Sequence, residues 1–259
     1  MRVAPRDLKA VRQGGILARY AVLGSVAFVQ AEIGPEGSAG TSLEAPCEVE
    51  HWGFVISGRL RFEAGELTRT FAAGTAFHIP AGAPAHRFIS AGAASVAGFA
   101  PLTEPIDDSP EAFAAHGVET ILEPPVLELL PASLRLPRTA GVRRTREAGI
   151  EAEIAPMGSW TCMRVTYAAL SGFTTGWCDL PHWGLVLSGE IVHESEGGVE
   201  LLTAGDIYWV PPGPPGHRFE VADAATVLDY TPTAALLGPG RRPPYRAAAA
   251  PLEQAAGKA

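Results

Sequence analysis

The chain has 259 residues, 47% of them apolar, with 29 Gly, 23 Pro and a net charge of −8. That length suits two domains of ordinary size, each able to bury its own core. The acidic balance offers no basic face to displace counterions from nucleic acid, and no secretory leader or bilayer-length apolar run is visible. A cytoplasmic protein with neither a nucleic-acid nor a membrane partner is therefore expected.

Residues 1–14 read as a loose N-terminal arm. Strand signals begin near residue 15, where Ala21-Val-Leu-Gly-Ser-Val-Ala-Phe-Val has a counterpart in Ala155-Pro-Met-Gly-Ser-Trp-Thr-Cys-Met. Next comes Cys47-Glu-Val-Glu-His-Trp-Gly-Phe-Val-Ile-Ser-Gly58, which returns as Cys178-Asp-Leu-Pro-His-Trp-Gly-Leu-Val-Leu-Ser-Gly189. Each copy reads as a strand, a tight turn at Ser57-Gly58 or Ser188-Gly189, and a second strand. Ala73-Gly74 and Ala204-Gly205 mark a further turn, ahead of blocks that end at His86 and His217. The offset is constant, since 178 − 47, 182 − 51, 205 − 74 and 217 − 86 all equal 131. A duplicated domain is expected, with barrels over 15–101 and 148–232.

Between them, 102–147 reads as a connector with one short helix, capped by Ser109, opened by Pro110 and closed by Gly117. Pro124, Pro125, Pro131 and Pro137 interrupt the rest, and the basic run from Arg135 to Arg146 reads as solvated. The tail, 233–259, is expected to be extended or partly disordered. Short strands punctuated by Gly and Pro imply an all-β barrel or sandwich.

Each repeat keeps one Cys and two His: Cys47, His51 and His86, then Cys178, His182 and His217. Thiolate plus imidazole is a soft-to-borderline donor set that suits zinc, iron or copper and disfavours magnesium or calcium. Three protein ligands leave a position for water or substrate. The competing reading is a buried Cys and two hydrogen-bonded histidines in an ordinary core. Four residues of straight strand span about 13 Å, whereas ligands of one ion lie about 3–4 Å apart, so the chain must bend between Cys and His. Pro181 supplies that bend in the second repeat, and Glu50 stands there in the first. Alternation places Gly53 and Gly184 on the ligand side, leaving room above an ion, and turns Trp52 and Trp183 away into packing.

Softer candidates flank the ligands. Glu48 and Asp179 are candidate general bases or hydrogen-bond acceptors for a ligand, or else solvated turn acids. Arg87 and Arg218 either bind a substrate carboxylate or cap the barrel rim. Trp52 and Trp183 form an apolar area to be buried between the barrels or against a second copy in a homodimer. Cys162 reads as a core residue, and His78, His116 and His193 have no counterpart in the other repeat and receive no role.

These blocks resemble the cupin superfamily, whose second motif is matched by Gly74, Pro80, Gly82 and His86 and by Gly205, Pro211, Gly213 and His217, with one extra residue before each His. In the first motif Gly58 and Gly189 match the final Gly. His51 and His182 fall on the Glu ligand, Cys47 and Cys178 on the second His, and Ala45 and Gly176 on the first. The resemblance implies two tandem double-stranded β-helix (jelly-roll) barrels with a metal in the mouth. For function the superfamily is uninformative, since it hosts many activities. The donor set with its open position points instead to a metal-dependent enzyme on a small organic molecule, an oxygenase or oxidoreductase with iron or copper and a hydrolase, lyase or isomerase with zinc. A non-enzymatic cupin that senses or stores a small ligand or the metal is the alternative.

Overall fold

The computed structural model describes residues 2–34, 49–81, 86–90, 92–102, 104–122, 136, 143–147, 149–169, 173–174, 177–221 and 223–234. Cys47, Glu48, Pro124, Pro125, Pro131, Pro137 and the tail beyond residue 234 lie outside the described residues, as does the side chain of Arg87.

From His51 onward, strands in the two repeats begin and end at equivalent residues. His51–Ser57 answers to His182–Ser188, Arg59–Ala64 to Glu190–Ser195, and Leu67–Ala72 to Gly198–Thr203. Ala76–Ile79, His86–Ser90 and Ala94–Pro101 correspond to Ile207–Val210, His217–Val221 and Ala225–Pro232. Alternation along these strands sends one set of side chains into each barrel. Val55, Leu60, Phe62 and Phe77 fill the first interior, and Val186, Ile191, Tyr208 and Val227 fill the second.

Each repeat pairs a large sheet with a small one. In the first, His51–Ser57 lies between Ala94–Pro101 and Ala76–Ile79, while Arg59–Ala64 lies between Leu67–Ala72 and His86–Ser90. Ser57-Gly58 is therefore a corner between two sheets, not a hairpin turn. Gly58 sits at φ +73, and a Cβ there would come within 2.3 Å of the Ala93 carbonyl oxygen. Only glycine fits both the left-handed backbone and that approach. The Gly-Ser shared by the early strands, by contrast, closes true hairpins, Ile16–Leu23 with Val26–Ile33 and Ile150–Met157 with Trp160–Tyr167.

The N-terminal segment differs from the expected loose arm. Lys9–Gln13 pairs with Ile16–Leu23, just as Arg143–Glu147 pairs with Ile150–Met157, so both large sheets start earlier in the chain than the sequence suggests. Arg2–Val3 crosses to the second barrel and pairs with Ile207–Val210, and Arg2 forms an ion pair with buried Asp206 at 2.9 Å. The connector helix is Pro110–Ala115, with the Ser109 hydroxyl accepting from Ala112 N–H at 3.2 Å as its cap chemistry requires. Arg144 and Arg146 are exposed, as the solvated reading expects, and Arg144 also donates to Glu153 at 3.1 Å and to the Leu136 carbonyl at 2.9 Å. That clamp fixes Leu136 in the core shared by the barrels. No helix among the described residues is long and apolar enough to cross a membrane.

The barrels meet through their large sheets. Trp52 stacks on Trp160 with ring centroids 3.8 Å apart, and Trp160 meets Trp183 edge-on at 4.9 Å. Phe28, Phe99, Leu185 and Tyr230 extend this cluster to both sides. The tryptophans therefore lie buried between the two barrels of one chain, and the apolar area that motivated a homodimer is already covered. Glu50 rims the contact, accepting from Trp160 Nε1 at 2.9 Å and bonding His78 at 2.8 Å.

Candidate metal centre

The second barrel brings its Cys and two His together. Cys178 and His217 form an isolated antiparallel bridge, in which Cys178 N–H donates to the His217 carbonyl at 2.7 Å and His217 N–H donates back at 2.8 Å. Gly216 makes this approach possible, because a Cβ there would lie 2.4 Å from the Cys178 carbonyl oxygen. The chain then bends through Asp179, Leu180 and Pro181, with the Pro181 carbonyl accepting from the buried Thr231 hydroxyl, and the strand restarts at His182. The expected bend is present, and it returns His182 Nε2 to 3.3 Å from Cys178 Sγ. One ligand atom from each of Cys178, His182 and His217 lies within 4.8 Å of the others.

Behind His182 stands a polar chain that sequence reading missed. His182 Nδ1 bonds Asp229 Oδ1 at 2.9 Å, and Tyr208 donates its hydroxyl to Asp229 Oδ2 at 2.7 Å. An ionised carboxylate only accepts, so Nδ1 carries the proton and Nε2 is presented to Cys178. Gly184 is expected to leave open space above an ion, and it does not. A Cβ on it would meet the Tyr208 hydroxyl at 2.3 Å, so the glycine makes room for the tyrosine to reach Asp229.

Electrostatics divide the two imidazoles. Burial opposes charge on His182, but the Asp229 carboxylate and its hydrogen bond, with help from Cys178, raise the pKa to about 10. His217 has no such partner: burial, then the charges of His182 and His193, push it down to about 3. His217 Nε2 is buried without a hydrogen-bond partner among the described residues. A buried neutral imidazole nitrogen is costly to leave unmatched and is a ready donor to a cation.

The first barrel keeps the histidine pair but not its support. His51 and His86 lie edge-on with centroids 5.5 Å apart, compared with 5.0 Å for His182 and His217. Opposite Gly53, where the second barrel has Tyr208 and Asp229 against Gly184, the first has Phe77 and Gly98. His51 accordingly goes the other way: burial and His86 lower it to about 4, against a small opposing pull from Glu50.

The flanking candidates separate. Arg218 does not face the cluster. His217 and His193 point inward, and Arg218 lies outside, donating to Glu194 at 2.6 Å and resting 5.4 Å from the exposed Trp177 ring. Its partners here are Glu194 and Trp177, not the Cys178, His182 and His217 cluster. Asp179 is exposed beside Cys178, where its charge favours protonated His217. Arg87 pairs through its backbone with Glu63.

No protein-family model and no curated protein matches this chain. Solved structures do. The Bacillus subtilis oxalate decarboxylase, in a structure concerned with its Mn(II) centres, superposes with a TM-score of 0.63 at 16% identity, covering 90% of this chain and 77% of that one. The chain folds as a bicupin. A mutant of the same enzyme gives 0.62 at 17% identity, and a structure addressing substrate binding and a reaction-specificity switch in oxalate decarboxylase gives 0.63 at 16%. Likeness at this identity carries the bicupin architecture and leaves the chemistry to the residues of the site.

Proposed function

We propose that the second barrel holds a transition-metal ion on Cys178, His182 and His217 and acts as a metal-dependent enzyme on a small organic molecule. The observation that carries this reading is the convergence of three donors, both histidines buried, with His217 Nε2 otherwise unmatched among the described residues. The oxalate decarboxylase structures, with their Mn(II) centres, support a metal and a small substrate in this architecture. A thiolate donor here favours zinc, iron or copper over manganese, which prefers oxygen ligands.

A bound ion would supply Lewis-acid activation of a substrate oxygen or water, or oxygen and redox chemistry if it is iron or copper. The protein's part is orientation. Asp229 holds His182 in one tautomer, and Tyr208 holds Asp229. The first barrel offers the same histidine pair on an apolar backing of Phe62, Phe77 and Gly98, so we assign it the weaker site. Elemental analysis of purified protein tests the proposal directly, and a chain that carries no transition metal after chelation and reloading refutes it.

Asp229→Asn is expected to lower metal affinity about 10- to 100-fold, the usual effect of losing a carboxylate that orients a ligand histidine. Competition with a chromophoric chelator measures it. Metal binding should also weaken as pH falls. Loading must displace a proton from His182, whose pKa is raised to about 10, so across neutral pH each unit of acidification should cost about tenfold from this residue alone. Proton release on loading, followed in weakly buffered solution, is the check.

A further inference from the structure

We infer that His193 is a further residue of the second-barrel site, one that holds the polar end of a small oxygen- or nitrogen-donor molecule bound beside the ion. The inference rests on the metal reading above and adds a group that the repeat comparison passes over. His193 lies on Glu190–Ser195, whose Ser195 is paired with His217, so the two imidazoles are inward neighbours on adjacent strands. Their ring centroids are 5.7 Å apart. His193 is only 5% exposed, and its Nε2, like that of His217, has no hydrogen-bond partner among the described residues.

The fold itself does not call for a polar group there. His193 packs on Phe219 at 5.5 Å, and the equivalent residue of the first barrel is Phe62, packed on Phe88 at 5.6 Å. A benzene ring fills this position with no unmatched nitrogen, so burying an imidazole is a local cost that packing does not explain. Nor is His193 a fourth ligand, since it falls outside the group whose donor atoms lie within 4.8 Å of one another. A buried imidazole just beyond the ligands is placed to meet what occupies the ion's open position. Its hydrogen bond would orient a small anion or a neutral oxygen donor and select against apolar guests.

His193→Phe is the decisive variant, because the first barrel shows that this fold accepts phenylalanine at the position. The protein is loaded with cobalt(II), and azide is titrated while the visible spectrum is followed. Wild type and H193F should take up equal cobalt with the same thiolate charge-transfer band, whereas azide affinity should fall about tenfold or more in H193F. His193→Gln, which keeps a hydrogen-bonding end, should recover part of that loss and serves as the folded control. Equal azide affinity in wild type and H193F overturns the inference, as does loss of cobalt from H193F, which would make His193 a ligand. Wild type that takes up no cobalt fails at the earlier step and refutes the metal reading together with this one.

Discussion

His182→Ala is expected to strip the ion from the second barrel while leaving any ion in the first in place. His182 is the hinge of the site, touching Cys178 at 3.3 Å on one nitrogen and Asp229 at 2.9 Å on the other. Removing it takes away one donor and also leaves the Asp229 carboxylate buried with Tyr208 as its partner. Breaking a buried pair in this way typically costs about 3–5 kcal/mol, so the metal-free variant should also unfold earlier. Metal content per chain and denaturant midpoint are therefore measured together. Cys178→Ser separates the two effects, because it removes the soft donor without stranding a buried charge. That variant should fold normally and shift its preference away from thiophilic ions. Unchanged metal content in both variants would return these residues to ordinary core packing.

The fold was legible because the chain states it twice. A register of 131 residues that survives across strands and turns constrains every strand end between His51 and Pro101, and the strands of the two repeats coincide. The convergence of Cys178, His182 and His217 was legible for the same reason, and Pro181 marked the bend that brings them together. What escaped notice escaped through the same filter. Asp229, Tyr208 and His193 stand opposite Gly98, Phe77 and Phe62, so a search for shared residues discards them. A different signal was available: a lone His in the inward register of Ile191-Val-His193, and a lone Asp in the apolar run Val227-Leu-Asp-Tyr230. Polar residues at inward positions of an otherwise apolar strand need partners, and here those partners are one another or the site. The N-terminal strands were missed for lack of pattern. Arg2–Val3 is too short for periodicity, and its pairing lies in the other barrel.

Trp52→Ala should be the most destabilising single substitution in the contact between barrels. Trp52 is 1% exposed, stacks on Trp160 at 3.8 Å and faces both Trp183 and Phe99. Its indole N–H has no partner among the described residues, so its contribution is the burial and stacking of a large apolar surface rather than a hydrogen bond. Truncating such a side chain typically costs about 3–5 kcal/mol, because the rings around it cannot collapse fully into the void. The cavity would open between two barrels that each retain their own interior cluster. The wild type is expected to unfold in one transition, and loss of stability should therefore appear as loss of coupling, with that transition splitting or broadening as the barrels unfold separately. Trp177→Ala is the control, since that ring is 58% exposed at the rim and should shift stability by about 0.5 kcal/mol or less. Calorimetry on both variants decides the point. A W52A protein that melts with wild-type cooperativity and midpoint would show that the strap at Arg2 and the clamp on Leu136 hold the barrels together without the tryptophan stack.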